Sequence, residues 1–333
     1  MSLPNKIAIG TSCLGQHPSH ALDHKIRAAA QQGFQGLEIV YADLEHYSKT
    51  LQIPISTGAK QIRQISDDLG LTIISLAPFE NFEGTKSPLE ERLALAQRWL
   101  DLARILGATY LQVPSQYGTD SIRDEAVIVS EMQQLADLAS SLSPVISIAY
   151  EPLSWGVVYS TWDDVLRLTQ LVNRDNFGIC LDTFHETTKL WACPFTDSGV
   201  YPDGPEKLAA SLRRFVTSIP VEKVFYVQLS DAERFDPPFS KSHPWYLEGE
   251  APEFTWSKHA RPYPLETEYG GYTPVTNVVQ AWIVDVGFKG WVSMEIFDRR
   301  MRDEAYNPET AAERGWRSWE KVQAGVSGGS SKV

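Results

Sequence analysis

The 333-residue sequence has only three cysteines, Cys13, Cys180 and Cys193, and no CxxC pair. That scarcity excludes a disulfide framework and a thiolate zinc site, and it predicts reduced, inert thiols in a cytoplasmic protein. No apolar run approaches the roughly 18 residues that a membrane span needs, so membrane insertion is excluded. Met1–Asn5 leads straight into an apolar strand, without the charged region and long apolar stretch of a secretory leader. Positive charge is in short supply: 30 Lys and Arg against 42 Asp and Glu leave a net charge of −12. Such a balance opposes a nucleic-acid-binding surface but allows a local basic pocket for a small acidic substrate. Neither GxGxxG nor GxxxxGK[ST] occurs, which argues against a nucleotide-binding open sheet.

What is present is an alternation of short apolar runs with stretches of helical periodicity, the pattern of parallel strands joined by helices. Strands are predicted at Lys6–Thr11, Gly36–Tyr41, Leu71–Ala77, Tyr110–Val113, Val145–Tyr150, Phe177–Leu181, Val224–Leu229 and Trp291–Ile296. Helices are predicted at Leu22–Gln32, Gly58–Leu69, Pro88–Leu106, Ser121–Leu142, Trp162–Val172, Pro205–Ile219, Val275–Val286 and Pro308–Val322. Eight of each in alternation predict a single-domain (β/α)8 TIM barrel over residues 1–323. Residues 324–333, rich in Gly and Ser, read as a disordered tail. Two connections are long, His185–Asp203 after strand 6 and Ser230–Tyr272 after strand 7. Long loops that follow strands lie on the catalytic face of a barrel.

The ends of the last four strands carry the chemistry. Strand 5 runs into Glu151, strand 6 into Asp182, strand 7 carries Gln228 near its end, and strand 8 carries Glu295. Singly, an acid after a strand is commonly a helix N-cap or a solvated loop residue. Jointly, four such residues on neighbouring strands converge at one mouth, where three carboxylates repel one another strongly unless a cation joins them. Three carboxylates and an amide oxygen suit Mg²⁺ or Mn²⁺, with Co²⁺ also accepted. His185, three residues past Asp182, is a candidate general base, because a nearby cation favours its neutral form.

At these residues the sequence resembles the xylose-isomerase-like TIM-barrel superfamily, and within it the fungal-type 3-dehydroshikimate dehydratases of quinate catabolism. The stretches that carry the resemblance are KIAIGTSCLG, GFQGLEIVYADLE, AYEPLSWG, NRDNFGICLDTFH, YVQLSDAERF, SMEIFDRRM and AERGWRSWEKV. The resemblance implies a metal-dependent loss of water from 3-dehydroshikimate to give protocatechuate. It implies Glu151, Asp182, Gln228 and Glu295 as metal ligands and His185 as base. A carboxylate substrate needs a cationic or donor partner, for which Lys86, Arg234, His243 and Arg261 in the mouth loops are candidates, and Trp155 is a candidate pocket wall. A ketose isomerase or epimerase of the same superfamily is the alternative, since it too deprotonates next to a carbonyl but returns the proton. The oligomeric state, including a homo-oligomer, stays open.

Overall fold

Eight parallel strands close on themselves in chain order. The computed structural model describes residues 3–328. Its first seven barrel strands are β1 (Ile7–Gly10), β2 (Gly36–Val40), β3 (Thr72–Ala77), β4 (Tyr110–Pro114), β5 (Ser147–Glu151), β6 (Phe177–Asp182) and β7 (Val224–Leu229). A two-residue strand, β8 (Ala260–Arg261), intervenes before the eighth barrel strand, β9 (Trp291–Met294), which pairs with both β7 and β1 and shuts the ring. Beyond it, β10 (Phe297–Asp298) pairs antiparallel with β8, with Phe297 opposite Arg261.

The helices are α1 (Leu22–Gln32), α2 (Tyr41–Thr50), α3 (Ile55–Asp68), α4 (Leu89–Leu106), α5 (Glu125–Ser140), α6 (Trp162–Val172), α7 (Thr183–Leu190), α8 (Gly204–Ser218), α9 (Pro252–His259), α10 (Val275–Val279) and α11 (Pro308–Gly328). α6 begins at a capping box in which Thr161 and Asp164 exchange side-chain and backbone hydrogen bonds, the signal that marks its start in the sequence. α1 and α4 stop at Gly33 and Gly107, both in the left-handed conformation that glycine adopts without strain. α10 widens into a π-helical stretch over Gln280–Asp285.

Three helices lie where the sequence suggests loops. α2 follows β2 without a side-chain cap. α7 is short and threonine-rich, so it lacks a clear apolar stripe, and it occupies the start of the expected loop after strand 6. α9 sits within the long segment after β7. The expected tail from residue 324 is corrected in part: α11 continues to Gly328, because Val322 and Val326, one turn apart, both bury against the core. Residues 329–333 lie outside the described residues. No helix among the described residues is long and apolar enough to cross a membrane.

Candidate active site

Side chains two residues apart on a strand face the same way. Inside the barrel, Ala149, Cys180 and Tyr226 form a buried layer with Tyr110 and Trp291 packed against it. The next inward positions toward the C-terminal mouth are therefore Gln112, Glu151, Asp182, Gln228 and Ser293, all buried. The ladder aligns them: Asp182 is opposite Gln228, and Gln228 is opposite Ser293. Glu295 follows directly after β9, its N–H bonded to the Leu229 carbonyl at 3.2 Å. Glu38 of β2 completes the floor, fully enclosed.

The floor is dense with acid. Gln112 Nε2 donates to Glu151 Oε2. Glu151 Oε1 has no hydrogen-bond partner among the described residues and faces His185 Nε2 at 3.3 Å. Glu151, Asp182 and His185 each offer a ligand atom within 4.8 Å of the others. Gln228 Nε2 donates to Glu38 Oε2 at 3.1 Å and to Glu295 Oε1 at 3.0 Å, and Ser75 Oγ donates to Glu38 Oε2 at 3.0 Å. The Arg261 guanidinium lies between Asp182 Oδ2 and Glu295 Oε2, the latter at 2.6 Å, while its Nε donates to Ser230 Oγ at 2.8 Å. The four expected ligands thus share one floor: Glu151 and Asp182 offer oxygens near His185, and Asp182 and Glu295 meet at the same Arg261 nitrogen. Arg261 bridges to Glu295, and Gln228 turns its amide N–H toward Glu38.

Asp182 does two jobs. Its Oδ1 accepts the Phe184 N–H at 2.7 Å, capping α7. That cap starts the helix which carries His185 back over the mouth. Ser154, in the turn after β5, presents two groups to His185 Nδ1: its backbone N–H at 3.1 Å and its hydroxyl at 3.4 Å. A donor and an acceptor at one ring nitrogen accommodate either neutral tautomer. Burial holds the imidazole neutral, its pKa pushed down to about 4 despite the nearby Asp182.

Burial also dominates the acids. It lifts Glu151 well above the usual carboxylate range, and the charge of Glu295 adds to the effect. Glu38 rises to about 7 for the same two reasons. Asp182 is lifted to about 7 by burial, against the pull of Arg261. Of the four carboxylates of the floor (Glu38, Glu151, Asp182 and Glu295), Asp182 and Glu295 contact the Arg261 guanidinium, and Glu151 Oε1 has no hydrogen-bond partner among the described residues. That excess of buried negative charge and oxygen donors fits a divalent cation.

Above the floor is a cavity of about 290 Å³ whose lining includes Glu151, Trp155, His185, Arg261 and Glu295. Trp155 meets His185 edge-on, ring centres 4.8 Å apart. Three residues expected to meet a substrate carboxylate are not among the cavity's lining. Lys86 pairs with Asp120 on the exposed surface. Arg234 is exposed. His243 packs between Phe235 and Trp245, at 5.0 Å from each. The reason is the fold of the segment after β7: its first half packs on an aromatic cluster around Phe184, Phe235 and Trp256, and only α9 and β8 reach the mouth. Sequence reasoning missed Glu38, Gln112 and Lys258. Glu38 carried a signal, a lone charge inside the apolar run GLEIV; Lys258 sits among many charges and carried none.

The chain matches the family model described as xylose isomerase-like TIM barrel over residues 26–322. It is 36% identical to a 3-dehydroshikimate dehydratase of Neurospora crassa, across 96% of this chain and 94% of that protein. It is 30% identical to a 3-dehydroshikimate dehydratase of Pseudomonas aeruginosa across 85% of this chain, but spans 37% of that longer protein. Among solved structures it resembles a xylose isomerase-like TIM barrel/4-hydroxyphenylpyruvate dioxygenase fusion protein, with a TM-score of 0.74 and 26% identity, covering 99% of this chain and 45% of the other.

Proposed function

This chain belongs to the xylose isomerase-like TIM-barrel family, and from that membership and the mouth geometry we propose that it is a hydro-lyase converting 3-dehydroshikimate to protocatechuate. One observation carries the choice of substrate: the similarity, over nearly the full length of both chains, to the dehydratase of N. crassa. The buried, neutral His185 above an acidic floor supports the reaction type.

Glu151, Asp182, Gln228 and Glu295 would hold one divalent ion, Mg²⁺ or Mn²⁺ by their oxygen character, with Co²⁺ as a further candidate. When bound, that ion supplies Lewis-acid stabilisation of the charge developing on the substrate's ketone oxygen. His185 takes the proton from C4, next to the ketone, and Ser154 Oγ receives the Nδ1 hydrogen that leaves Nε2 free to act. The C5–O bond then breaks, and the proton held by His185 leaves with the hydroxyl as water. Transfer of a C6 proton to the ketone oxygen makes the ring aromatic. Trp155 walls the ring, and Arg261 balances charge at the Asp182–Glu295 side.

The test is an absorbance assay of the purified protein with 3-dehydroshikimate, before and after chelation and after addition of Mg²⁺, Mn²⁺ or Co²⁺. The expected outcome is appearance of a catechol, lost on chelation and restored by metal. Turnover of a ketose with no aromatic product would replace dehydration by proton return.

A further inference from the structure

We propose that Lys258, on α9, is the residue that selects a substrate bearing a carboxylate, and that Glu250 occupies its ammonium until that carboxylate arrives. The inference rests on the dehydratase reading and names the subsite that recognises the acid.

Two cations line the cavity, Arg261 and Lys258. Arg261 is fully enclosed and already engaged with Asp182, Glu295, Ser230 and Ser257. Lys258 is different: its side chain is 31% exposed, and its Nζ meets a single carboxylate, Glu250 Oε2, at 2.6 Å. Glu250 is separately held by Thr255 Oγ1 at 2.5 Å, so it has a donor to keep when the lysine turns away. An incoming carboxylate would exchange one ion pair for another, and the ammonium would be paired in both states.

Position supports the assignment. One wall of the cavity is a continuous row of contacts. His185 meets Trp155 at 4.8 Å between ring centres, Trp155 meets Phe254 at 5.1 Å, and Lys258 Nζ lies 4.6 Å over the Phe254 ring. The proposed base stands at one end of this row and the ammonium at the other. In 3-dehydroshikimate the carboxylate is on C1, across the ring from C4, whose proton leaves. A ring laid along Trp155 with C4 at His185 therefore directs its carboxylate toward Lys258.

The experiment compares wild-type protein, Lys258→Met and Lys258→Arg on 3-dehydroshikimate and on its methyl ester, with circular dichroism as a check on folding. Wild type is expected to favour the acid over the ester. Lys258→Met is expected to raise KM for the acid about 10- to 100-fold with kcat changed by less than about 3-fold, and to lose the preference for the acid. Lys258→Arg is expected to retain most of that preference. An unchanged KM and an unchanged acid-to-ester ratio in Lys258→Met would overturn the assignment while leaving dehydration in place. Absence of an aromatic product from wild type with both compounds would instead remove the dehydratase reading, and the subsite with it.

Discussion

At the scale of single residues, the site turns on how His185 is held. Its neutral state comes from burial, but its tautomer is in the keeping of Ser154, whose hydroxyl also accepts a hydrogen bond from Thr188 Oγ1 at 3.1 Å. Ser154→Ala keeps the backbone donor and removes the acceptor. It should therefore favour the tautomer with hydrogen on Nε2, the form least able to take a proton there. We expect kcat to fall by about 10-fold with KM within about 3-fold, read from steady-state kinetics on 3-dehydroshikimate. Legibility in the sequence followed exposure to a boundary. Glu151 and Asp182 could be read because a charge at the end of an apolar run stands out. Glu38 and Gln112 sit inside their strands, where the pattern favours packing, and only the closed barrel reveals that they point at the same floor.

At the scale of elements, the segment after β7 is pinned by one buried acid. Asp231 accepts from the backbone of Ala232, Leu265, Tyr272 and Thr273 and from the Thr273 hydroxyl. It thus ties the start of the segment to its end. Asp231→Ala would leave several buried donors without partners, a loss on the order of 1–3 kcal/mol for each one unsatisfied. The expected outcome is a Tm lowered by several degrees and faster proteolysis between residues 232 and 272, both measurable on the purified variant. The elements that could be read from the sequence were those with strong local grammar. α6, with its capping box, and β7, with its apolar run, match their expected ranges, whereas α2 lacks a cap and α7 lacks an apolar stripe. α11 was read short because glycine and serine near its end suggest a loop, while the burial of Val326 against the core decides for helix.

At the scale of the whole molecule, buried acids set the response to pH. Glu83, fully enclosed, accepts from the Tyr150 hydroxyl at 2.5 Å and from the Gln116 N–H at 2.6 Å, yet burial lifts its carboxyl to about 7. An acid whose pKa is higher in the folded than in the unfolded chain contributes stability that is complete below its ordinary value of 4.5. That contribution is lost as pH rises through about 7. Denaturant melts from pH 4 to 8 should show wild type losing stability across this window more steeply than Glu83→Gln, and identical slopes would remove Glu83 as a contributor. The architecture was legible because β and α signals alternate around the entire chain; the path of the long segment after β7 was not, because nothing local in it says which part returns to the mouth. Part of that answer is the ribbon of β8 and β10, in which Arg261 is paired with Phe297, two residues beyond Glu295. The guanidinium and the last acid of the floor are thereby cross-stitched through main chain, although 34 positions separate them. Anyone transplanting the long segment between related barrels would have to move both halves of that stitch as one cassette, or the charge balance of the recipient's floor would travel without its fastening.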